Sequence, residues 1–76
     1  MNKKLIELIK VSLELESDIN FDTLISDIEE WDSLGHLSIL TALSKASNGK
    51  TDDLDLTDLK TVNDLCKILD SNKIHI

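Results

Sequence analysis

Between Lys3 and Leu15 the apolar residues Leu5, Ile6, Leu8, Ile9 and Leu13 recur with a 3.6-residue period, while Lys3, Lys4, Glu7, Lys10 and Glu14 fall opposite. This spacing predicts an amphipathic helix over 3–15, with Asn2 as its N-cap. So short a helix is marginal alone, and its stripe must pack on something. From Glu16 to Asp32 the period fails. Ile19, Phe21, Leu24, Ile28 and Trp31 stand scattered among Asp, Asn, Ser and Glu. The expectation is a long ordered loop, with room for one turn of helix, pinned by these anchors. Loops of this length in small domains are usually functional or mobile.

A helical pattern resumes over 33–47, with Asp32 as the natural N-cap. Leu37, Leu40 and Leu43 are expected on its buried face, helped by Ile39 and Ala46. Asn48-Gly49 is a stop signal, Gly49 suiting the left-handed position. Next comes an acidic connection, Asp52, Asp53, Asp55 and Asp58, anchored by Leu54, Leu56 and Leu59, with a short helical turn expected over 56–60. Thr61-Val62-Asn63-Asp64 reads as a capping box opening a last helix over 62–70, with Val62, Leu65, Cys66 and Leu69 inward. The tail 71–76 is expected to fray, with Ile74 and Ile76 able to pack back. The pattern implies an all-α fold. We expect a small four-helix bundle of three main helices, one short helix and a long first loop, in a single domain over 1–76.

Composition narrows the function. The chain has 76 residues, eight Lys and Arg against fifteen Asp and Glu, and a net charge of -7. Hydrophobic residues make up 41%, enough for a core. Proline is absent and glycine occurs twice, which suits helices better than a sandwich or barrel. So small a chain rarely encloses a deep catalytic pocket. The acidic balance argues against nucleic acid as a partner. No apolar run exceeds two residues, so neither membrane insertion nor a signal peptide is expected, and the chain reads as cytoplasmic. The lone Cys66 forms no internal disulfide and no zinc site.

The chemistry concentrates at Trp31-Asp32-Ser33-Leu34-Gly35-His36-Leu37. Here a serine hydroxyl stands on the first turn of a helix, just after an aspartate and a structureless loop. Unpaired amides and the positive end of the helix dipole converge there, a setting that tolerates an attached phosphate. Ser33 is expected to face solvent, with Leu34 and Leu37 anchoring the turn on either side.

At these residues the chain resembles the acyl carrier protein family, the phosphopantetheine-binding carrier domains. The family signature Asp-Ser-Leu opening the second helix is matched by Asp32-Ser33-Leu34. The form Trp31-Asp32-Ser33-Leu34-Gly35-His36 looks like that of stand-alone bacterial carriers of specialised biosynthesis. Length, acidic charge, long first loop and a Thr-Val-started last helix extend the likeness over the whole chain. The resemblance implies that Ser33 receives a 4′-phosphopantetheine arm from coenzyme A through a separate Mg²⁺-dependent phosphopantetheinyl transferase. The arm would carry an acyl or aminoacyl group as a thioester. Asp32 would help present Ser33 to the transferase, and Leu34 would be an exposed apolar contact beside the arm. An acyl- or aminoacyl-activating ligase and a downstream acyltransferase or synthase are the further implied partners. The chain itself would be a monomeric tether and no enzyme.

One departure from the family stands out. Carriers of fatty-acid synthesis bear several acidic residues on the second helix, whereas 33–50 here contains no Asp or Glu. Gly35, Ser38, Thr41, Ala42 and Lys45 are the positions expected outside, so steering along this helix is expected to be weak. The charge lies in the flanking loops, at Asp27, Glu29, Glu30 and Asp32, and at Asp52, Asp53, Asp55 and Asp58. Dedicated partners that grip loops and small-residue surfaces are the expectation.

Plainer readings stand beside these. Ser and Asp are frequent at helix starts for capping alone, and an unmodified acidic helical module, an adaptor or inhibitor, is the alternative function. Trp31 reads as a half-buried anchor. Ser33, His36 and Asp32 suggest a hydrolase, but no strained elbow or oxyanion hole accompanies them. Asp53-x-Asp55-x-Thr57 begins like a calcium loop, but Asp58 replaces the required glycine and Asp64 the bidentate glutamate. Cys66 reads as a small buried hydrophobe. A Leu- and Ile-rich interior serves a helical bundle and an acyl shelter equally.

Overall fold

The computed structural model describes residues 3–76, so the expected N-cap Asn2 lies outside the described residues. Three helices, α1 (Lys3–Leu13), α2 (Ser33–Ser47) and α3 (Val62–Ser71), are joined by long connections, the first of which contains a 3-10 turn at Ile25–Asp27. Among the described residues there is no strand, only an isolated antiparallel bridge between Leu24 and Thr61. The fold is an all-helical bundle.

α1 ends two residues earlier than its period suggests. Glu14 takes a left-handed φ of 53°. The Leu15 amide then reaches back to the Lys10 carbonyl at 2.9 Å and the Glu14 amide to Val11 at 3.3 Å. Both other helices close in a similar way. Asn48 stands at φ 57° while the Gly49 amide bonds the Ser44 carbonyl at 2.8 Å, and Gly49 follows at φ 83°. At the end of α3, Lys73 stands at φ 57° and the Ile74 amide bonds Leu69 at 2.9 Å. This last closure corrects the expected fraying. It turns Ile74 into the core, and half-buried Ile76 packs against the same cluster.

The core unites Leu5, Ile9 and Leu13 of α1 with Ile39 and Leu43 of α2 and Val62, Leu65 and Leu69 of α3. Ile28 and Leu56 enter from the connections and Ile74 from the segment after α3. Each such burial contributes about 1.5–3 kcal/mol against leaving the side chain in water.

Two expectations need correction. The buried face of α2 is Gly35, Ile39, Leu43 and Ser47, not one centred on Leu37, Leu40 and Leu43. Leu37 is 59% exposed, Leu40 is half-buried and Ala46 is exposed. A close approach selects this phase, since a Cβ on Gly35 would collide with the Glu30 carbonyl and lie 3.0 Å from Leu13 Cδ2. The helix therefore turns its glycine toward the loop and α1.

The second correction is the short helix over 56–60, which does not form. The Asp55 carboxylate accepts from the Thr57 hydroxyl at 2.6 Å and from the Thr57 amide at 3.1 Å. That local turn competes with helix formation. Leu56 is nevertheless buried and Leu59 half-buried, so the anchors work without the helix.

The first loop is ordered by contacts distant in sequence. Ile25 N–H donates to the Lys60 carbonyl at 2.9 Å, Val62 N–H to Thr23 at 3.1 Å and Asn63 N–H to Phe21 at 2.8 Å. A Lys10–Asp18 ion pair of 2.6 Å ties the loop's start to α1. The capping box opening α3 is present, with Thr61 Oγ1 accepting from the Asp64 amide and the Asp64 carboxylate accepting from the Thr61 amide.

Candidate functional site at the start of α2

The loop reaches α2 through Asp32, whose backbone is extended, at φ -89° and ψ -163°. Its carboxylate accepts from the Gly35 amide at 2.8 Å, satisfying one otherwise unpaired donor of the first turn. Ser33 is the first helical residue and is exposed. Its hydroxyl has no hydrogen-bond partner among the described residues. Leu34 is 76% exposed. Leu37, one turn on, is exposed as well and does not anchor the turn inward. Asp32, Ser33 and Leu34 thus form one solvent-facing corner.

This corner borders a cleft of about 430 Å³. Ile25 of the 3-10 turn and Leu56 and Leu59 of the acidic connection give it an apolar lining. Trp31, His36 and Thr57 complete the wall beside Asp32 and Ser33. Three segments distant in sequence therefore meet at one hydroxyl. Ile25, Leu56, Thr57 and Leu59 were not readable as site residues, because only tertiary pairing brings them to Ser33.

The half-buried Trp31 takes the anchoring position expected of it, and its indole Nε1–H donates to His36 Nδ1 at 3.1 Å. Among the described residues no hydrogen bond joins the side chains of Ser33, His36 and Asp32. His36 Nδ1 is engaged by Trp31, Asp32 by the Gly35 amide, and the Ser33 hydroxyl by neither. Beside the cleft, the Thr57 hydroxyl and amide hold the Asp55 carboxyl below its ordinary range. The amides of Thr61 and Lys60 do the same for Asp64. Both are anionic at neutral pH.

The outer face of α2 differs in part from expectation. Ser38, Thr41 and Lys45 are exposed, Ala42 is half-buried and Gly35 is buried. Leu37, Ser38, Thr41, Ala42 and Lys45 share a shallow groove with Ser12 of α1. Its single charge is the lysine.

Among the described residues no group of three His, Cys, Asp or Glu side chains is placed to hold a metal ion. Cys66 is buried on the inner face of α3, its Sγ 3.8 Å from an Asp70 carboxylate oxygen. No helix among the described residues is long and apolar enough to cross a membrane. Comparison of the chain with protein-family models, with curated proteins and with solved structures finds no match.

Proposed function

We propose that the chain is a carrier protein whose Ser33 bears a 4′-phosphopantetheine arm derived from coenzyme A. When attached, the arm supplies a terminal thiol for thioester linkage to an acyl or aminoacyl cargo. The observation that carries this reading is the exposed, unpartnered Ser33 hydroxyl at the first turn of α2, opening onto the cleft of Ile25, Leu56 and Leu59.

Each neighbouring residue has a task in this reading. Asp32 closes the helix start through Gly35. It thereby keeps Ser33 presented to a phosphopantetheinyl transferase and its Mg²⁺. Leu34 and Leu37 offer apolar contacts to visiting enzymes from outside the cleft. The apolar cleft wall shelters the part of the arm nearest the protein. No side chain of the carrier performs the acyl chemistry. Its contribution is effective concentration, since tethered cargo meets a docked enzyme as a nearly intramolecular partner. An activating ligase loads the arm and an acyltransferase or synthase unloads it, in the cytoplasm and with the carrier as a monomer. With no carboxylate on α2, dedicated partners recognise the Leu34–Leu37 surface and the acidic loops. Generic fatty-acid synthase enzymes are expected to turn the carrier over poorly.

Intact-mass measurement after incubation with coenzyme A, Mg²⁺ and a broad-specificity transferase tests the reading. The wild-type chain gains one phosphopantetheine and Ser33→Ala gains none. Because Ser33 is exposed, the variant keeps its stability within about 0.5 kcal/mol. A wild-type chain that stays unmodified overturns the carrier function and leaves an acidic helical docking module.

A further inference from the structure

Besides Ser33, the capping Asp32 and the Trp31 indole, the cleft is lined by two polar side chains, His36 and Thr57, and the Thr57 hydroxyl is engaged by the Asp55 carboxylate. Trp31 Nε1–H donates to His36 Nδ1 at 3.1 Å, and the ring centroids are 6.3 Å apart. An indole nitrogen only donates, so His36 Nδ1 must be the bare, accepting nitrogen. A neutral imidazole carries one proton, which then resides on Nε2. Nε2 has no hydrogen-bond partner among the described residues, and no partnerless side-chain nitrogen or oxygen among them is buried. It is therefore a solvent-facing donor with a fixed tautomer. His36 lines the same cleft as Ser33 and follows it by one helical turn. At that spacing side chains are neighbours, with Cβ atoms about 5–6 Å apart. The one carboxylate lining the cleft, Asp32, is engaged by the Gly35 amide.

We propose that His36 is a positioning residue for the group esterified on Ser33. With its tautomer set by Trp31, its Nε2–H donates to a phosphate oxygen of that group. This role rests on the carrier function proposed above. A phosphodiester leaves two unesterified oxygens that share one negative charge, and a hydrogen bond to an anion is stronger than a neutral one. The bond limits rotation about the serine ester and aims the arm along Ile25, Leu56 and Leu59 rather than into bulk water.

Two spectroscopic readouts and the intact mass test the assignment. Long-range ¹H–¹⁵N correlation on the unmodified protein reads the His36 tautomer. The expected form has the proton on Nε2, and Trp31→Phe converts it to a mixture. ³¹P NMR on the modified protein reads the phosphodiester. Its resonance is expected to be displaced from that of a solvent-exposed phosphodiester. His36→Phe abolishes the displacement, and His36→Gln, which retains an amide donor, restores part of it. Should His36→Phe fail to fold, a partial loss of the displacement is read in Trp31→Phe, whose tautomer mixture still contains some Nε2–H form. A proton on Nδ1, or a phosphorus resonance indifferent to these changes, overturns the role of His36 while leaving the carrier function intact. A wild-type chain that gains no mass overturns both.

Discussion

The bare Cα of Gly35 lies against the carbonyl oxygen of Glu30, with the Leu13 side chain closing the other side. This contact fixes the angle at which α2 leaves the loop, and with it the direction in which Ser33 and Leu34 face. Within a helix, Gly→Ala ordinarily stabilises by about 1 kcal/mol. Here the added methyl meets backbone, which has no rotamer to yield. Gly35→Ala is expected to destabilise by about 1–3 kcal/mol, measured by urea unfolding. It should also slow modification of Ser33, because the first turn must shift to make room. A stabilised variant would show that the junction is loose.

Two of the helices close through residues ill suited to their backbone. Glu14 and Lys73 hold left-handed φ values of 53° and 57°. The left-handed region costs an ordinary side chain about 1–2 kcal/mol, part of which glycine returns as entropy in the unfolded chain. Lys73→Gly and Glu14→Gly are each expected to raise stability by up to about 1 kcal/mol. Asn48→Gly should gain less, since asparagine tolerates this region. Thermal melting of the three variants ranks them directly.

The α3 capping box makes stability depend on acid. The Thr61 amide, then that of Lys60, hold the Asp64 carboxyl below its ordinary value of 3.8. A carboxyl depressed on folding stabilises the native state above its unfolded pKa and loses that contribution as pH falls through the folded one. Wild type is therefore expected to exceed Asp64→Asn in urea midpoint at neutral pH. The gap should shrink as pH drops below about 4 and close in stronger acid. A gap that persists in acid would mean that Asp64 acts by packing rather than by charge.

Leu56 is the test of an anchor without a helix. It is only 3% exposed although its segment is irregular, and it also lines the cleft beside Ser33. Leu56→Ala is expected to cost about 2–4 kcal/mol. Hydrogen exchange should rise first in the connection 51–60 and in the loop paired with it. A rise no larger in 51–60 than in the three helices would show that Leu56 is not what holds the connection in place.

Local pattern determines α1 and α3. Leu5, Ile9 and Leu13, and likewise Val62, Leu65 and Leu69, lie on one face of their helices with polar residues opposite. Only one rotation of each helix hides its apolar side. The Asp32 cap and the Thr61–Asp64 box were equally legible, because each bond spans three residues. So was the outward position of Ser33, which follows from the cap beside it. For α2 the sequence leaves the rotation open, since small and apolar residues surround it and several phases would bury comparable area. Packing of Gly35 on Glu30 and Leu13 chooses among them, which is why Leu37 faces water and Ile39 does not. The burial of Leu56 and Leu59 was readable from their polarity. The failure of the expected helix there was not, because it turns on the Asp55 carboxylate taking the Thr57 amide. The Trp31–His36 bond spans only five residues, though no periodicity announces it. The cleft belongs to tertiary structure alone, since it exists only where the first loop, the start of α2 and the acidic connection are brought together by contacts distant in sequence.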